Sequence, residues 1–302
     1  MHYNLITILG PTAAGKTKLA AHLANEFNGE IISADSRQVY KRMNIGTGKD
    51  YTDYKVKDNT VKYHLIDILE PTEEFSLFNF VELFNKKFTK IISGGKLPFL
   101  VGGTGMYLSA VLQNYKLKKA DFQSERTLEL SRMDNTELRK ILIKLNPHQH
   151  NKTDLEIKER IIKAIVIAES GEKIIKFITP VNSFTIGVNI YREEIKSRIT
   201  ERLKKRLNEG MIEEVKSLID SGLSFEKLNF FGLEYKYIGE YLSGKINYND
   251  MFQKLNSAIH QFAKRQMTWF RKMEREGVKI NWIEEPDYEK AKTLLLNKSI
   301  DF

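Results

Sequence analysis

The stretch Gly10-Pro11-Thr12-Ala13-Ala14-Gly15-Lys16-Thr17 decides the reading of this chain, because it fits the P-loop pattern G-x-x-x-x-G-K-[ST]. The apolar run Leu5-Ile6-Thr7-Ile8-Leu9 precedes it as a buried strand, and Lys18-Leu19-Ala20-Ala21-His22-Leu23 follows it as the start of a helix. In that setting glycines let successive backbone N–H groups converge on an anion. The helix N-terminus adds partial positive charge, Lys16 a full one, and Thr17 can ligate magnesium. All eight residues Gly10 to Thr17 are therefore candidates for holding a phosphate. The pattern leaves its identity open: ATP or GTP is the commonest ligand, and another phosphorylated donor is the alternative.

Working outward, further short apolar runs occur at Glu30 to Ala34, His64 to Leu69, Leu97 to Val101, Phe184 to Val188 and Val278 to Ile283. They are mostly unbroken rather than alternating, which suits parallel strands covered on both faces. With the P-loop they predict an α/β fold, a doubly wound, mostly parallel sheet. Ligands of such sheets lie beyond the carboxyl ends of the strands. The residues that follow the runs are Asp35-Ser36-Arg37-Gln38, Glu70-Pro71 and Gly102-Gly103-Thr104-Gly105.

The alternation breaks between about Asp121 and Pro180. Leu128, Leu130, Met133, Leu138, Ile141, Leu142 and Leu145 form an amphipathic pair of segments closed by Asn146-Pro147. Another helix is predicted to open near Thr153 or Asp154 and to carry Ile157, Ile161, Ile162, Ile165 and Val166. An all-helical subdomain at 121–180, inserted between core segments 1–120 and 181–302, is the expectation. Helices follow from about Glu193 to Asn208, Ile212 to Asp220 and Asp250 to Arg275. The last has an apolar stripe with Leu255, Ile259, Phe262, Gln266, Trp269 and Met273, and a polar one with Gln261, Lys264, Thr268, Arg271 and Arg275. The apolar stripe reads as core packing; the basic stripe reads as a solvated face or as a phosphate or RNA contact.

Composition bounds the chemistry. A chain of 302 residues with 41% hydrophobic and 29% charged residues is that of a soluble globular protein. No apolar run approaches the ~20 residues of a membrane span, and a strand leading straight into the P-loop argues against a secretory leader. A monomeric cytoplasmic enzyme is expected. The absence of cysteine removes disulfides, thiolate metal sites and cysteine nucleophiles together. A formal charge of +9 points to a polyanionic partner such as RNA or DNA, although a lysine-rich proteome gives the same balance. The charge is concentrated: Arg192 to Arg206 holds seven basic and three acidic residues.

GPTAAGKT at 10–17, ADSRQVYKRMNIGTGKD at 34–50, HLIDILEP at 64–71, VGGTGMYL at 101–108 and AKRQMTWFR at 263–271 together resemble the tRNA dimethylallyltransferase (tRNA isopentenyltransferase) family. The resemblance runs in order from residue 4 to about 283. It implies transfer of the dimethylallyl group from dimethylallyl diphosphate to the exocyclic amine of the adenosine just 3′ of the anticodon in tRNA, with magnesium as cofactor and release of diphosphate. It also implies a helical insert that grips the anticodon stem-loop. Displacing diphosphate from an allylic carbon requires charge stabilisation on the leaving group, which suits Lys16, Thr17 with magnesium and the loop amides. The attacking aromatic amine loses a proton, so a carboxylate beside it is useful as general base. Asp35 is the candidate, although a strand-end aspartate can equally cap a helix. By resemblance Thr104 touches the target nucleotide, and Asp35, Ser36, Arg37 and Gln38 face the RNA. Glu159-Arg160-Ile161-Ile162-Lys163 matches the family's tRNA-contacting Q-R-x-x-R run, with Arg126, Lys264 and Arg265 as further RNA contacts. His260 stands where the family has a diphosphate-binding arginine, so it is placed in the diphosphate site. Phe231-Gly232-Leu233-Glu234-Tyr235 replaces the usual Gly-Tyr-(Lys/Arg) arrangement.

Other functions fit parts of the pattern. A P-loop kinase of a small metabolite would also use the loop and Asp35, an adenine-nucleotide isopentenyltransferase would share the donor, and a non-catalytic RNA-binding protein would have lost Lys16, Thr17 or Asp35. All three residues are present.

Overall fold

The computed structural model describes residues 2–147, 156–171, 177 and 179–297. The first unit comprises residues 1–114 and 177–302, and the second residues 115–176.

In the first unit the chain runs β1 (Leu5–Leu9), α1 (Lys16–Glu26), β2 (Gly29–Ala34), a short hairpin of β3 (Lys55–Val56) and β4 (Asn59–Thr60), β5 (Tyr63–His64), α2 (Leu77–Ser93), β6 (Leu97–Gly102) and α3 (Gly105–Leu112). The second unit carries α4 (Glu125–Arg132), α5 (Asn135–Leu145) and α6 (Lys158–Glu169). The first unit resumes with β7 (Ser183–Asn189), α7 (Arg192–Asn208), α8 (Met211–Asp220), α9 (Phe225–Phe231), α10 (Leu233–Leu242), α11 (Tyr248–Arg275), β8 (Ile280–Glu284) and α12 (Tyr288–Leu296).

Six strands form one sheet in the order β5-β2-β6-β1-β7-β8, and every pairing in it is parallel. All five residues of β1 are buried, so neither face of the sheet centre is open to water. That is the doubly wound α/β architecture the unbroken apolar runs predict. The run His64 to Leu69 is the exception. Its strand ends at His64, because Leu65 and Asp67 take φ of 63° and 53°, which no strand accommodates. Asp67 is turned there towards the buried Lys49, whose Nζ lies 2.6 Å from its Oδ1.

The second unit has its own small core, in which Leu130, Leu138 and Leu142 meet Ile161, Ile162, Ile165 and Val166. Asp134 caps α5 with a full capping box, its side chain accepting from Glu137 N at 2.9 Å. The helix start read near Thr153 or Asp154 lies outside the described residues.

Candidate active site

Sheet register assembles the site. Gly102 at the end of β6 is level with Leu9 of β1 and Ala34 of β2, so Gly10, Asp35 and Gly103 step off three adjacent strands side by side. Beyond Leu9 the loop curls through Ala13 and Gly15 at φ of 62° and 73°. α1 then begins with no side chain capping its N-terminus, which leaves its first amides to a ligand. Lys16 Nζ donates to the Pro11 carbonyl at 2.6 Å. Burial, reinforced by the nearby Arg202 and only partly opposed by Asp35, lowers the Lys16 pKa to about 7.

Gln266 of α11 ties the loop to the neighbouring turn. Its Oε1 accepts from Thr12 N at 2.8 Å, and its Nε2 donates to the Gly103 carbonyl at 2.9 Å. A Cβ on residue 103 would lie 2.3 Å from Gln266 Nε2, so the glycine there is what lets the amide approach. Arg202 of α7 donates to Thr12 Oγ1 at 2.5 Å. Burial and Arg206 lower its pKa to about 10, against the pull of Glu234, Asp50 and Asp35.

Asp35 caps no helix. Its Oδ1 accepts from Arg37 N at 2.8 Å and Gln38 N at 3.4 Å in a local turn. Thr104, although it stands at the N-terminus of α3, does not cap that helix with its side chain; its Oγ1 accepts from Ser36 N at 3.2 Å and so joins the two strand-end turns. Gln38 is drawn inward, accepting from Ser33 Oγ at 3.1 Å and donating to the Gly48 carbonyl at 3.1 Å. The Arg37 guanidinium stands 4.8 Å over the Phe230 ring.

Two cavities result. One of about 600 Å³ is lined by the P-loop, with Lys16 and Thr17 in its wall. The other, of about 410 Å³, is lined by Arg37, Thr104, Arg265 and Trp269. Asp35, Thr12, Arg202, Phe262 and Gln266 line both. A carboxylate on the shared wall, with a cationic anion cradle on one side and an aromatic-walled hollow on the other, can take a proton from an acceptor while a diphosphate leaves the other way.

The loop between the cavities is held from behind. Glu214 of α8 accepts from the backbone N–H groups of Asn44 and Ile45, both at 2.7 Å, and of Gly46 at 3.0 Å, and from the Tyr235 hydroxyl at 2.7 Å. Thr47 and Gly48 follow directly and line the P-loop cavity.

The structure thus brings together residues 12–17, Asp35, Ser36, Arg37, Gln38, Thr104 and Arg265 around the two cavities. Pro11 contributes its carbonyl to Lys16 and Gly10 turns the chain at φ 158°. It does not bring His260 there. Six residues before Gln266 is a rotation of about 240° on a helix, and His260 Nε2 instead sits 3.2 Å from the Lys196 carbonyl and 3.4 Å from Thr200 Oγ1. Lys264 shares that separate groove with it. Within the second unit Ile161 and Ile162 are buried in its core and present no surface to RNA, whereas Glu159, Arg160 and Lys163 are exposed. Arg126 is committed to Glu169 at 2.8 Å and Glu129 at 3.1 Å. Arg202, Arg206, Glu234 and Gln266 receive no site role from the sequence, although Glu234 and Gln266 fall within motifs quoted there. Their signals were an arginine every fourth position on α7 and one polar residue on the apolar stripe of α11.

A family model described as IPP transferase matches residues 38–273, and one described as isopentenyl transferase matches residues 3–68. A tRNA dimethylallyltransferase 2 of Trichlorobacter lovleyi is 50% identical over 286 residues, 93% of this chain and 92% of its own. The chain belongs to the tRNA dimethylallyltransferase family. A tRNA dimethylallyltransferase 1 of Geotalea uraniireducens is 48% identical over 98% of this chain and 99% of its own. The crystal structure of the full-length tRNA isopentenylpyrophosphate transferase of Bacillus halodurans superposes with a TM-score of 0.69 at 33% identity, over 97% of this chain and 94% of that one. A eukaryotic dimethylallyltransferase solved acting on tRNA shares the fold, with a TM-score of 0.76 at 22% identity over 96% of this chain and 76% of its own. The resemblance carried by the five sequence blocks is borne out, and the enzyme is a transferase.

Among the described residues no group of three or more histidine, cysteine, aspartate or glutamate side chains could cage a metal ion. Magnesium at a P-loop needs no cage, since it is held by one or two protein oxygens, water and substrate phosphates. Thr17, in the wall of the P-loop cavity, fits that arrangement. No helix among the described residues is long and apolar enough to cross a membrane.

Proposed function

We propose that this dimethylallyltransferase moves the dimethylallyl group of dimethylallyl diphosphate onto the exocyclic amine of the adenosine 3′-adjacent to the anticodon of tRNA. The bond from the allylic carbon to the diphosphate oxygen breaks, the bond from that carbon to nitrogen forms, the amine proton passes to Asp35, and diphosphate leaves. The observation that carries the reading is the place of Asp35 on the wall common to the P-loop cavity and the Thr104 cavity.

Lys16, Arg202 and the amides at the start of α1 hold the diphosphate and take up the negative charge that grows on it. Bound magnesium, held by Thr17, supplies further charge neutralisation there. Thr104 and Asp35 meet the acceptor amine, and Gln266 keeps the loop and the glycine turn at fixed separation so that carbon and nitrogen are aligned. The second unit and the exposed Arg265 supply contacts to the anticodon stem-loop, consistent with a chain whose formal charge is +9.

The test is transfer of radiolabelled dimethylallyl diphosphate to total tRNA, with Asp35→Asn and Thr17→Ala alongside. Label in RNA with the wild type and at least about a hundredfold less with Asp35→Asn is expected. Label on free AMP instead, or an Asp35→Asn protein as active as wild type, contradicts the reading.

A further inference from the structure

Phe262 falls on the apolar stripe of α11 that reads as core packing, and the structure gives it another place. Ile259, Ala263, Phe270 and Met273 of that helix are buried, whereas Phe262 is 39% exposed. A single exposed phenylalanine means little on an open surface. This one lines a cavity wall, and it lines both cavities. The other residues common to the two are Thr12, Asp35, Thr47, Gly103, Arg202 and Gln266, so Phe262 is the one large apolar side chain among the described residues of the shared wall.

The helix holds the ring there. Phe262 and Gln266 are four residues apart and share a face of α11, and Gln266 is anchored to Thr12 N and the Gly103 carbonyl. Transfer requires the allylic carbon to lie between the departing diphosphate oxygen and the attacking nitrogen, which puts the five-carbon group where the two cavities meet. Contacts to the diphosphate are the same for every length of prenyl chain, so they cannot select one. The Thr104 cavity has apolar walls of its own in Phe231, Leu233 and Trp269, which cover a base without help from Phe262. On the shared wall a hydrocarbon group finds this ring and otherwise polar side chains or glycine.

We propose that Phe262 is a specificity-determining residue: the prenyl group of the donor packs against its ring, and the bulk of the ring limits the length of chain the enzyme accepts. The inference rests on the reading given under Proposed function. It supplies the surface that recognises hydrocarbon, which Lys16, Arg202 and the loop amides do not.

The experiment measures kcat/KM for dimethylallyl diphosphate and for the ten-carbon geranyl diphosphate with an anticodon stem-loop RNA, using wild type, Phe262→Ala and Phe262→Leu, together with the inhibition constant of inorganic diphosphate and the KM for the RNA. Phe262→Ala should lose about tenfold on dimethylallyl diphosphate, the scale of a lost apolar contact. Its geranyl-to-dimethylallyl ratio should rise by at least about tenfold over that of wild type. Phe262→Leu keeps apolar contact while opening room, so it should stay within about threefold of wild type on dimethylallyl diphosphate and raise the same ratio; it carries the test if the alanine variant folds poorly. Inhibition by diphosphate, which has no hydrocarbon, and the KM for RNA should not move in either variant. A ratio unchanged from wild type, weaker diphosphate inhibition in step with the loss of activity, or an effect confined to the KM for RNA overturns the inference. No transfer by wild type to the RNA would instead remove the transferase reading itself.

Discussion

Lys16 is costly to the empty protein and useful to the loaded one. Its pKa of about 7 lies far below the 10.5 of an exposed lysine, so between those values the unfolded chain binds the extra proton and stability rises with pH. Lys16→Met should therefore melt higher than wild type below pH 7, by at least a few degrees (~1–2 kcal/mol or more), with the gap shrinking as the pH climbs towards 10. Donor binding runs the other way. Above pH 7 diphosphate must bring a proton back to the ammonium, so wild-type affinity should fall by up to about tenfold per pH unit, a slope absent from Lys16→Met. Thermal melting checks the first sign and titration calorimetry of donor binding the second, both from pH 6 to 9; parallel profiles in the two proteins would refute the role. Lys16 and Asp35 were legible in sequence because each sits inside a short contiguous motif. His260 was misplaced because position in an aligned motif ignores helix phase, and the face of α11 towards the P-loop belongs to Gln266.

Between elements, the site depends on straps that no local pattern announces. On α7, Arg198, Arg202 and Arg206 recur every fourth residue and so share a face, where like charges repel unless each has its own partner. Arg198 pairs with Glu194 at 2.7 Å and Glu285 at 2.6 Å, Arg202 meets Thr12, and Arg206 keeps its unmatched N–H. Glu214 does comparable work from α8 by serving four donors of the 44–46 loop and α10. Glu214→Ala leaves those donors without their acceptor and should cost about 2 to 4 kcal/mol, seen as a melting point lower by several degrees, while Glu214→Gln, which keeps one accepting oxygen, should lose about half as much. Equal melting of alanine variant and wild type would show the loop is held otherwise. The strands and the long α11 could be read from unbroken runs and a clean stripe. The end of β5 could not, because the Asp67 turn is set by Lys49, which is distant in sequence and buried in the fold.

Across the whole molecule, a parallel sheet gathers the exits of β1, β2 and β6 on one edge, and the chemistry collects there because the register leaves Gly10, Asp35 and Gly103 side by side. The P-loop alone names an anion site; what sets a prenyl donor apart from a nucleoside triphosphate is membership of the tRNA dimethylallyltransferase family, with which the carboxylate on the partition and the aromatic-walled hollow behind it are consistent. The second unit has a separate core, which is why its isoleucines read as packing once the fold is known and as RNA contacts when only the motif is seen. The most direct measurement is equilibrium binding of an unreactive thiolodiphosphate analogue of the donor, in competition with ATP, to wild type and Lys16→Met with magnesium present. The analogue should bind wild type, be displaced by inorganic diphosphate but not by equimolar ATP, and lose at least about tenfold in affinity on removal of the ammonium. Tight ATP binding that excludes the analogue would contradict the account.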